Sequence, residues 1–162
     1  MPGQDRFLSR ARLVAILLPL ALLGGAYGSQ LFGGLVPCEM CWWQRYPHFA
    51  AAGAALIAIL LRRNPLASAT FTVLAALAIA TSGGIGVYHA GVEYHWWQGL
   101  TACTAEIKPG ADMLEAIMKS PLIRCDVPQW TLFGISLAGF NAIFSLLGAA
   151  FILLLLRRWS KA

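Results

Sequence analysis

The chain has 162 residues, of which 59% are hydrophobic and only 12% are charged. A soluble globular domain carries about 25% charged residues, so this composition excludes a water-soluble fold and favours a single membrane domain over residues 1–162. The formal net charge is +5. The basic residues lie at the ends of apolar runs rather than on one face, which argues against a nucleic-acid-binding surface and indicates that they orient the chain in a membrane.

Four apolar segments are long enough to cross a bilayer as helices, since about 20 residues span the hydrocarbon core. We predict spans over residues 13–32, 43–61, 66–88 and 132–156. Pro19 lies inside the first span, where a membrane helix tolerates it. A basic stretch precedes this span, as in a signal peptide, but the apolar run is longer than a signal-peptide core and favours a retained helix. The predicted fold class is an all-α, four-helix transmembrane bundle.

Basic residues are distributed unevenly between the two sides that four spans create. Eight of the twelve Lys and Arg residues fall on one side, namely Arg6, Arg10, Arg12, Arg62, Arg63, Arg157, Arg158 and Lys161. By the positive-inside rule that side is cytoplasmic, so both termini are predicted to lie inside. Two loops then face outward, a short one over residues 33–42 and a long one over residues 89–131. All four cysteines lie in these loops, which in a bacterium face the oxidising periplasm.

The short outward loop carries two cysteines, Cys38 and Cys41, separated by two residues. This spacing allows a small disulfide ring, and the pair begins the second predicted helix, whose N-terminal partial charge favours a thiolate. Arg45 follows Cys41 by four residues and therefore shares its helix face, one turn deeper. Its guanidinium either stabilises a thiolate or a bound oxygen, or it extends to the lipid headgroups. The cost of a charge at membrane depth favours the functional interpretation.

The long outward loop carries the other two cysteines, Cys103 and Cys125. Alone, this pair is typical of a structural staple, but two disulfides in neighbouring loops can exchange with one another by thiolate attack. Between them, residues 112–122 have apolar side chains at helical spacing. They predict a short amphipathic helix, either on the membrane surface or against the bundle.

Aromatic and histidine side chains gather at the predicted outer boundary. The aromatic residues favour an interfacial belt over a wall for a flat ring ligand; they are Trp42, Trp43, Tyr46, Tyr88, Tyr94, Trp96, Trp97 and Trp130. His89 and His95 follow the third span, where either could transfer protons or simply hydrogen-bond a loop carbonyl. The same two interpretations apply to His48, which lies inside the second span.

The ordered set of motifs resembles the DsbB family, the quinone reductases of bacterial inner membranes that form disulfide bonds. The resemblance covers nearly the whole chain. It is carried by Pro37-Cys38-x-x-Cys41-x-x-x-Arg45, by Tyr88-His89-x-Gly91-x-Glu93 with Thr101-Ala102-Cys103, and by Cys125-Asp126 with Trp130-x-x-Phe133-Gly134-x-Ser136 and Asn141. A lone C-x-x-C is a weak signal, whereas this order on four spans is specific.

The resemblance implies a relay of disulfide exchange. A periplasmic DsbA-like oxidase with a thioredoxin fold would attack the Cys103–Cys125 disulfide and form a mixed disulfide with Cys103. Cys125 would then attack Cys38 and expel Cys41 as a thiolate beside a bound quinone. All four cysteines are therefore implied to be catalytic.

The resemblance also implies a cofactor, partners and a location. The cofactor is a quinone, either ubiquinone or menaquinone, and its implied binding residues are Arg45, Cys41 and His89, with His95 near enough in sequence to replace His89. The implied partners are the DsbA-like oxidase, the quinone pool and the lipid bilayer, with no nucleic acid, and the chain is expected to be a monomer. The implied location is the bacterial inner membrane.

Three other interpretations stay open. The four cysteines could form a zinc site, although the second pair lacks a short spacing and an oxidising compartment disfavours it. The chain could be a non-catalytic membrane protein with structural disulfides Cys38–Cys41 and Cys103–Cys125. Membrane thiol oxidoreductases of the vitamin K epoxide reductase type are similar in architecture, but their C-x-x-C lies late in the bundle, whereas here it precedes the second span.

Overall fold

A computed structural model describes residues 2–101, 103–104 and 123–161 of the chain, with the backbone alone for residues 2–5. Within these residues four long α-helices and one short hairpin are formed. The helices are α1 (Pro2–Gly33), α2 (Glu39–Leu60), α3 (Pro65–Glu93) and α4 (Leu137–Lys161). The antiparallel strands are β1 (Thr131–Leu132) and β2 (Ile135–Ser136). The short amphipathic helix predicted over residues 112–122 lies outside the described residues.

Three of the four helices are long and apolar enough to cross a membrane: Arg6–Gly33, Pro65–Glu93 and Leu137–Lys161. α2 is long enough but less apolar, because its first half carries Gln44, Arg45 and His48, all of which are buried. Burial inside the bundle keeps these polar groups away from lipid, where they would be costly. The predicted all-helical architecture is confirmed, and the count of four spans stays a prediction.

Two helix boundaries differ from the predicted ones near the cysteines. α3 continues to Glu93, so His89 lies on a helix and not in the outer loop. α4 begins at Leu137 rather than at residue 132, because residues 131–136 form the hairpin. Phe133 and Gly134 at its turn have positive φ angles of 51° and 76°. Two such residues cannot belong to a right-handed helix, but they match the two-residue turns that join paired strands.

The bundle core is built from small side chains, which let membrane helices approach closely. Within the part of the chain that the structure describes, seven alanines have no exposed surface: Ala11, Ala15, Ala51, Ala55, Ala58, Ala75 and Ala76. Large apolar side chains such as Leu60, Leu66 and Leu147 are exposed instead. This distribution leaves the long apolar side chains to the surface that a bilayer would cover.

α3 and α4 approach closely at Gly86. A Cβ atom at Gly86 would lie 3.0 Å from the Ala138 carbonyl oxygen and 3.0 Å from the Ala142 nitrogen. Both are backbone atoms of the facing helix and cannot turn aside. A Cβ atom at Gly84, on the same helix, would have no atom of another helix within 4 Å, so this position offers a matched control.

We expect Gly86→Ala to lower the free energy of unfolding by about 1–3 kcal/mol, because the added methyl group overpacks the α3–α4 contact. Gly84→Ala should leave it unchanged or raise it by up to about 1 kcal/mol, since alanine is the better helix former. Thermal unfolding of both variants in the same detergent measures the difference. Equal melting temperatures would contradict the close α3–α4 approach.

Candidate functional site

The two cysteine pairs share one buried cluster at the N-terminal end of α2. Its members are Cys38, Met40, Val92, Cys103 and Cys125, with Cys41 and Tyr88 packed against them. Cys103 and Cys125 form a disulfide. Cys38 and Cys41 are not bonded, and their Sγ atoms lie 2.6 Å apart. Two cysteine pairs that are far apart in sequence therefore belong to one buried cluster.

Cys38 is the N-cap of α2. Its Sγ accepts the backbone N–H of Cys41 at 3.2 Å, which brings both sulfur atoms to the same side of the first turn. A hydrogen bond from the Cys38 side chain lowers the pKa of Cys41, although burial opposes the effect. The same contact, together with burial, raises the pKa of Cys38. Cys41 is therefore the thiol of this pair that ionises first, which suits a leaving group in exchange.

A cavity of about 240 Å³ lies beside the Cys38–Cys41 pair, which forms part of its wall. Apolar side chains such as Leu22, Phe140 and Phe144 form much of the lining. Its polar lining residues on α2, α3 and α4 are Gln44, Arg45, His48, His89, Glu93 and Asn141. An apolar cavity with a few convergent polar groups is typical of a small-molecule site.

Arg45 is buried in the bundle, with only 6% of its surface exposed. It donates to Gln30 Oε1 at 3.0 Å and to the Ala26 carbonyl oxygen at 3.3 Å. Its guanidinium also lies over the rings of Tyr27 and Trp42, at 4.7 and 4.9 Å. Among the described residues no carboxylate lies within ion-pair distance of it. The side chain thus points into the bundle, not out to lipid headgroups, and its charge is available to a ligand.

His89 lies between the cysteine cluster and the cavity, with 2% of its surface exposed. Its Nε2 is 3.6 Å from Cys38 Sγ and 3.8 Å from Glu93 Oε1. The other Glu93 oxygen, Oε2, is buried and has no hydrogen-bond partner among the described residues. His95 is exposed and is absent from the cavity lining. Of the two histidines that the sequence left open, His89 is the one placed at the site.

A group of polar side chains lies deeper between α2, α3 and α4, around His48. Its other members are Gln44, Ser82, Asn141 and Ser145. No role was predicted from the sequence for Gln44, Ser82 or Ser145, whereas His48 was left open and Asn141 was one of the residues that carry the family resemblance. The available signal was their polarity within otherwise apolar spans, where polar groups are expensive and tend to serve function.

The family described as Disulfide bond formation protein DsbB matches residues 8–155. The chain belongs to the DsbB family. A relative named Disulfide bond formation protein B from Marinobacter nauticus is 28% identical over 159 residues, covering 91% of each chain. One of the same name from Acinetobacter baylyi is 31% identical over 164 residues, covering 91% of this chain and 92% of the relative. No solved structure matches the chain.

Membership of the DsbB family, with three span-capable helices, identifies a multi-pass membrane protein of disulfide bond formation. The alternative of a vitamin K epoxide reductase type is therefore wrong. All four cysteines, Arg45 and His89 fall within the matched residues.

The loops of this DsbB-family chain are tied together beside the cysteines. Gln129 accepts from the Val36 N–H at 3.0 Å and donates to the Val36 carbonyl oxygen at 2.7 Å. This double hydrogen bond joins the segment after Cys125 to the segment before Cys38. It holds the two loops in the register in which the cysteine pairs meet.

The aromatic side chains of the predicted interfacial belt differ in their exposure, and the belt itself stays a prediction. Trp43, Tyr46, Trp96, Trp97 and Trp130 are all exposed. Trp42 differs, because its ring lies under the Arg45 guanidinium. Tyr88 packs against the cysteine cluster and Trp130 lines the cavity, so three aromatic residues of the predicted belt also contribute to the site.

The four-cysteine zinc site is not formed, because Cys103 and Cys125 are bonded to each other. Among the described residues, ligand atoms of Cys38, Cys41 and His89 do lie within 4.8 Å of one another. Two thiolates on one zinc, each at about 2.3 Å, would be separated by about 3.8 Å. The observed separation of 2.6 Å between the sulfur atoms favours disulfide chemistry over metal ligation.

Proposed function

We propose that this chain is an inner-membrane thiol:disulfide oxidoreductase that reoxidises a periplasmic DsbA-like dithiol and passes the electrons to a membrane quinone. It would act as a monomer, a single domain of four spans with both termini cytoplasmic. One observation carries the proposal. The Cys38–Cys41 pair packs against the Cys103–Cys125 disulfide and also lines the apolar cavity. Electrons can therefore arrive from one side of the pair and leave on the other.

The first half of the relay exchanges disulfides. A thiolate of the partner attacks Cys103 and breaks its bond to Cys125, which leaves as a thiolate. Cys125 then attacks the Cys38–Cys41 disulfide at Cys38, and Cys41 leaves. The lowered pKa of Cys41 makes it the better leaving group.

The second half returns the outer pair to its starting state. The partner's second thiolate attacks the mixed disulfide, so the partner departs oxidised and Cys103 is released. Cys103 re-forms its bond with Cys125, and Cys38 is released. The two electrons from the partner now reside on Cys38 and Cys41, which are no longer joined by a disulfide.

The residues around the cavity fit a quinone. When bound, it supplies an acceptor for two electrons and two protons as the Cys38–Cys41 disulfide closes. The apolar walls suit a lipid-soluble ring, and the buried Arg45 guanidinium, with no carboxylate partner among the described residues, suits a ring oxygen that gains negative charge. We assign ring binding to Arg45, Cys41 and His89.

The test is a reconstituted reaction. The purified protein in detergent is mixed with a reduced thioredoxin-fold oxidase and a soluble analogue of ubiquinone or menaquinone, and quinone absorbance is followed. We expect continuous quinone loss that needs both protein and reduced oxidase; oxidase with alkylated thiols is the control. No turnover by well-folded protein with several oxidases and both quinones would contradict the proposal and favour two structural disulfides.

A further inference from the structure

The deep polar side chains form a directed chain of hydrogen bonds that ends at His89. Two backbone carbonyls set its direction, because a carbonyl can only accept. Gln44 Nε2 donates to the Met40 carbonyl oxygen at 3.2 Å, and Asn141 Nδ2 donates to the Ser82 carbonyl oxygen at 3.2 Å. Rotating either amide would place two oxygens against each other. The orientation of both side-chain amides is therefore determined by the backbone.

With the amides fixed, each link has one donor and one acceptor. Asn141 Nδ2 donates to Gln44 Oε1 at 2.8 Å, and Gln44 Nε2 lies 2.8 Å from His89 Nδ1. An amide N–H facing Nδ1 requires Nδ1 to be the acceptor. In a neutral imidazole the proton then resides on Nε2.

The far end of the chain is anchored in the same way. The Ser82 hydroxyl donates to the Gln44 carbonyl oxygen at 2.8 Å, so its oxygen is an acceptor for its other neighbours. His48 Nε2 lies 2.9 Å from Ser82 Oγ and 2.9 Å from Asn141 Oδ1. Flanked by two acceptors, this nitrogen carries a proton and holds the Asn141 amide in place.

Among the described residues, the groups nearest to the protonated Nε2 of His89 can each accept a hydrogen bond. They are Cys38 Sγ at 3.6 Å and Glu93 Oε1 at 3.8 Å. The opposite tautomer would direct a lone pair at the sulfur and repel a thiolate there.

We propose that Gln44 and Asn141 are positioning residues that hold His89 in the Nε2–H tautomer, so that it donates to the sulfur of Cys38. The inference rests on the proposed function, in which Cys38 is released as a thiolate when Cys103 re-forms its bond with Cys125. That thiolate forms in a buried cluster, where an unpaired charge is costly. The His89 N–H stabilises it until the Cys38–Cys41 disulfide closes. His89 acts here as a hydrogen-bond donor and not as a base.

The tautomer is measured directly by 15N NMR of protein labelled at its histidines, of which there are three. Protonated and unprotonated ring nitrogens differ widely in 15N shift, and a His89→Gln spectrum assigns the signals. We expect His89 to be protonated at Nε2 and unprotonated at Nδ1 in the wild type. Gln44→Glu, which offers Nδ1 an acceptor, should move the proton to Nδ1. Gln98→Glu, the same change at an exposed position, should leave it on Nε2.

The rate of quinone reduction tests the hydrogen bond from His89 to Cys38 independently of the NMR spectrum. His89→Gln keeps an N–H donor near the Nε2 position and cannot act as a base, whereas His89→Leu has no donor. Loss of a hydrogen bond to a charged group changes a rate by about 10- to 100-fold. We therefore expect His89→Leu to reduce quinone more slowly than the wild type by that factor. His89→Gln should reduce quinone at a rate much closer to that of the wild type.

Two results would overturn the inference. One is a wild-type His89 with its proton on Nδ1, which needs no variant to fold. The other is equal loss of turnover in His89→Gln and His89→Leu. Failure of the wild type to reduce any quinone would instead contradict the proposed function, and the NMR result would still decide the tautomer.

Discussion

Replacing Cys41 with serine is expected to abolish quinone reduction while leaving one round of partner oxidation intact. Without Cys41 the inner disulfide cannot form, so Cys125 finds no bond to attack at Cys38. The Cys103–Cys125 disulfide is present and can still oxidise one partner dithiol per chain. The relay then stops with both outer cysteines reduced.

The measurement is the stoichiometry of oxidised partner after acid quench and thiol alkylation, read by mass spectrometry beside quinone absorbance. We expect one equivalent per chain for Cys41→Ser and none for Cys103→Ser, whereas the wild type continues for as long as quinone is supplied. Repeated turnover by Cys41→Ser would show that electrons reach the quinone without Cys41. Absence of the single equivalent would show that the outer disulfide does not exchange with the partner.

Replacing Arg45 with methionine is expected to lower kcat/KM for the quinone by about 10²- to 10³-fold, the cost of removing a preorganised donor from a developing oxyanion. Methionine keeps much of the side-chain volume but removes the charge and the donors to Gln30 and Ala26. We expect kcat/KM of Arg45→Lys to lie between the values of the wild type and Arg45→Met. An ammonium group keeps the charge but lacks the planar guanidinium that contacts two acceptors and two rings at once. Stopped-flow quinone reduction over a range of quinone concentrations gives the ratio.

The matched control for Arg45 is Arg62→Met, the same change at an exposed position beyond the opposite end of α2. In this variant kcat/KM for the quinone should stay within about twofold of the wild-type value, as expected for a surface substitution. Partner oxidation through the outer disulfide should survive in Arg45→Met, since Arg45 lies on the cavity side of the cysteines. A normal quinone reaction in well-folded Arg45→Met would remove this residue from the proposed site.

Local patterns predicted the parts of the site that lie close together in sequence. The pair Cys38 and Cys41 with Arg45 one turn later follows from helical periodicity, and the structure places all three around one cavity. The third span was predicted to begin at residue 66, one residue after the observed start of α3 at Pro65. This start depends on local contacts, since Asn64 accepts from the Ala67 N–H and proline is favoured in the first turn. The start of α4 was predicted wrongly because apolar composition alone does not distinguish a hairpin from a helix over residues 131–136.

The sequence by itself determined the all-helical membrane class, since no soluble arrangement of this composition can cover its apolar surface. It also placed Cys38 and Cys41 together at the start of one helix and put Arg45 on the same face as Cys41. Only the tertiary structure decided that the cysteine pairs meet, that His89 rather than His95 lines the cavity, and that Gln44, Asn141 and His48 form one chain. The physical reason is that the apolar residues surround these helices on all sides, so periodicity marks no packing face. Their relative rotation depends on close contacts such as that at Gly86, which are set between helices and not within them.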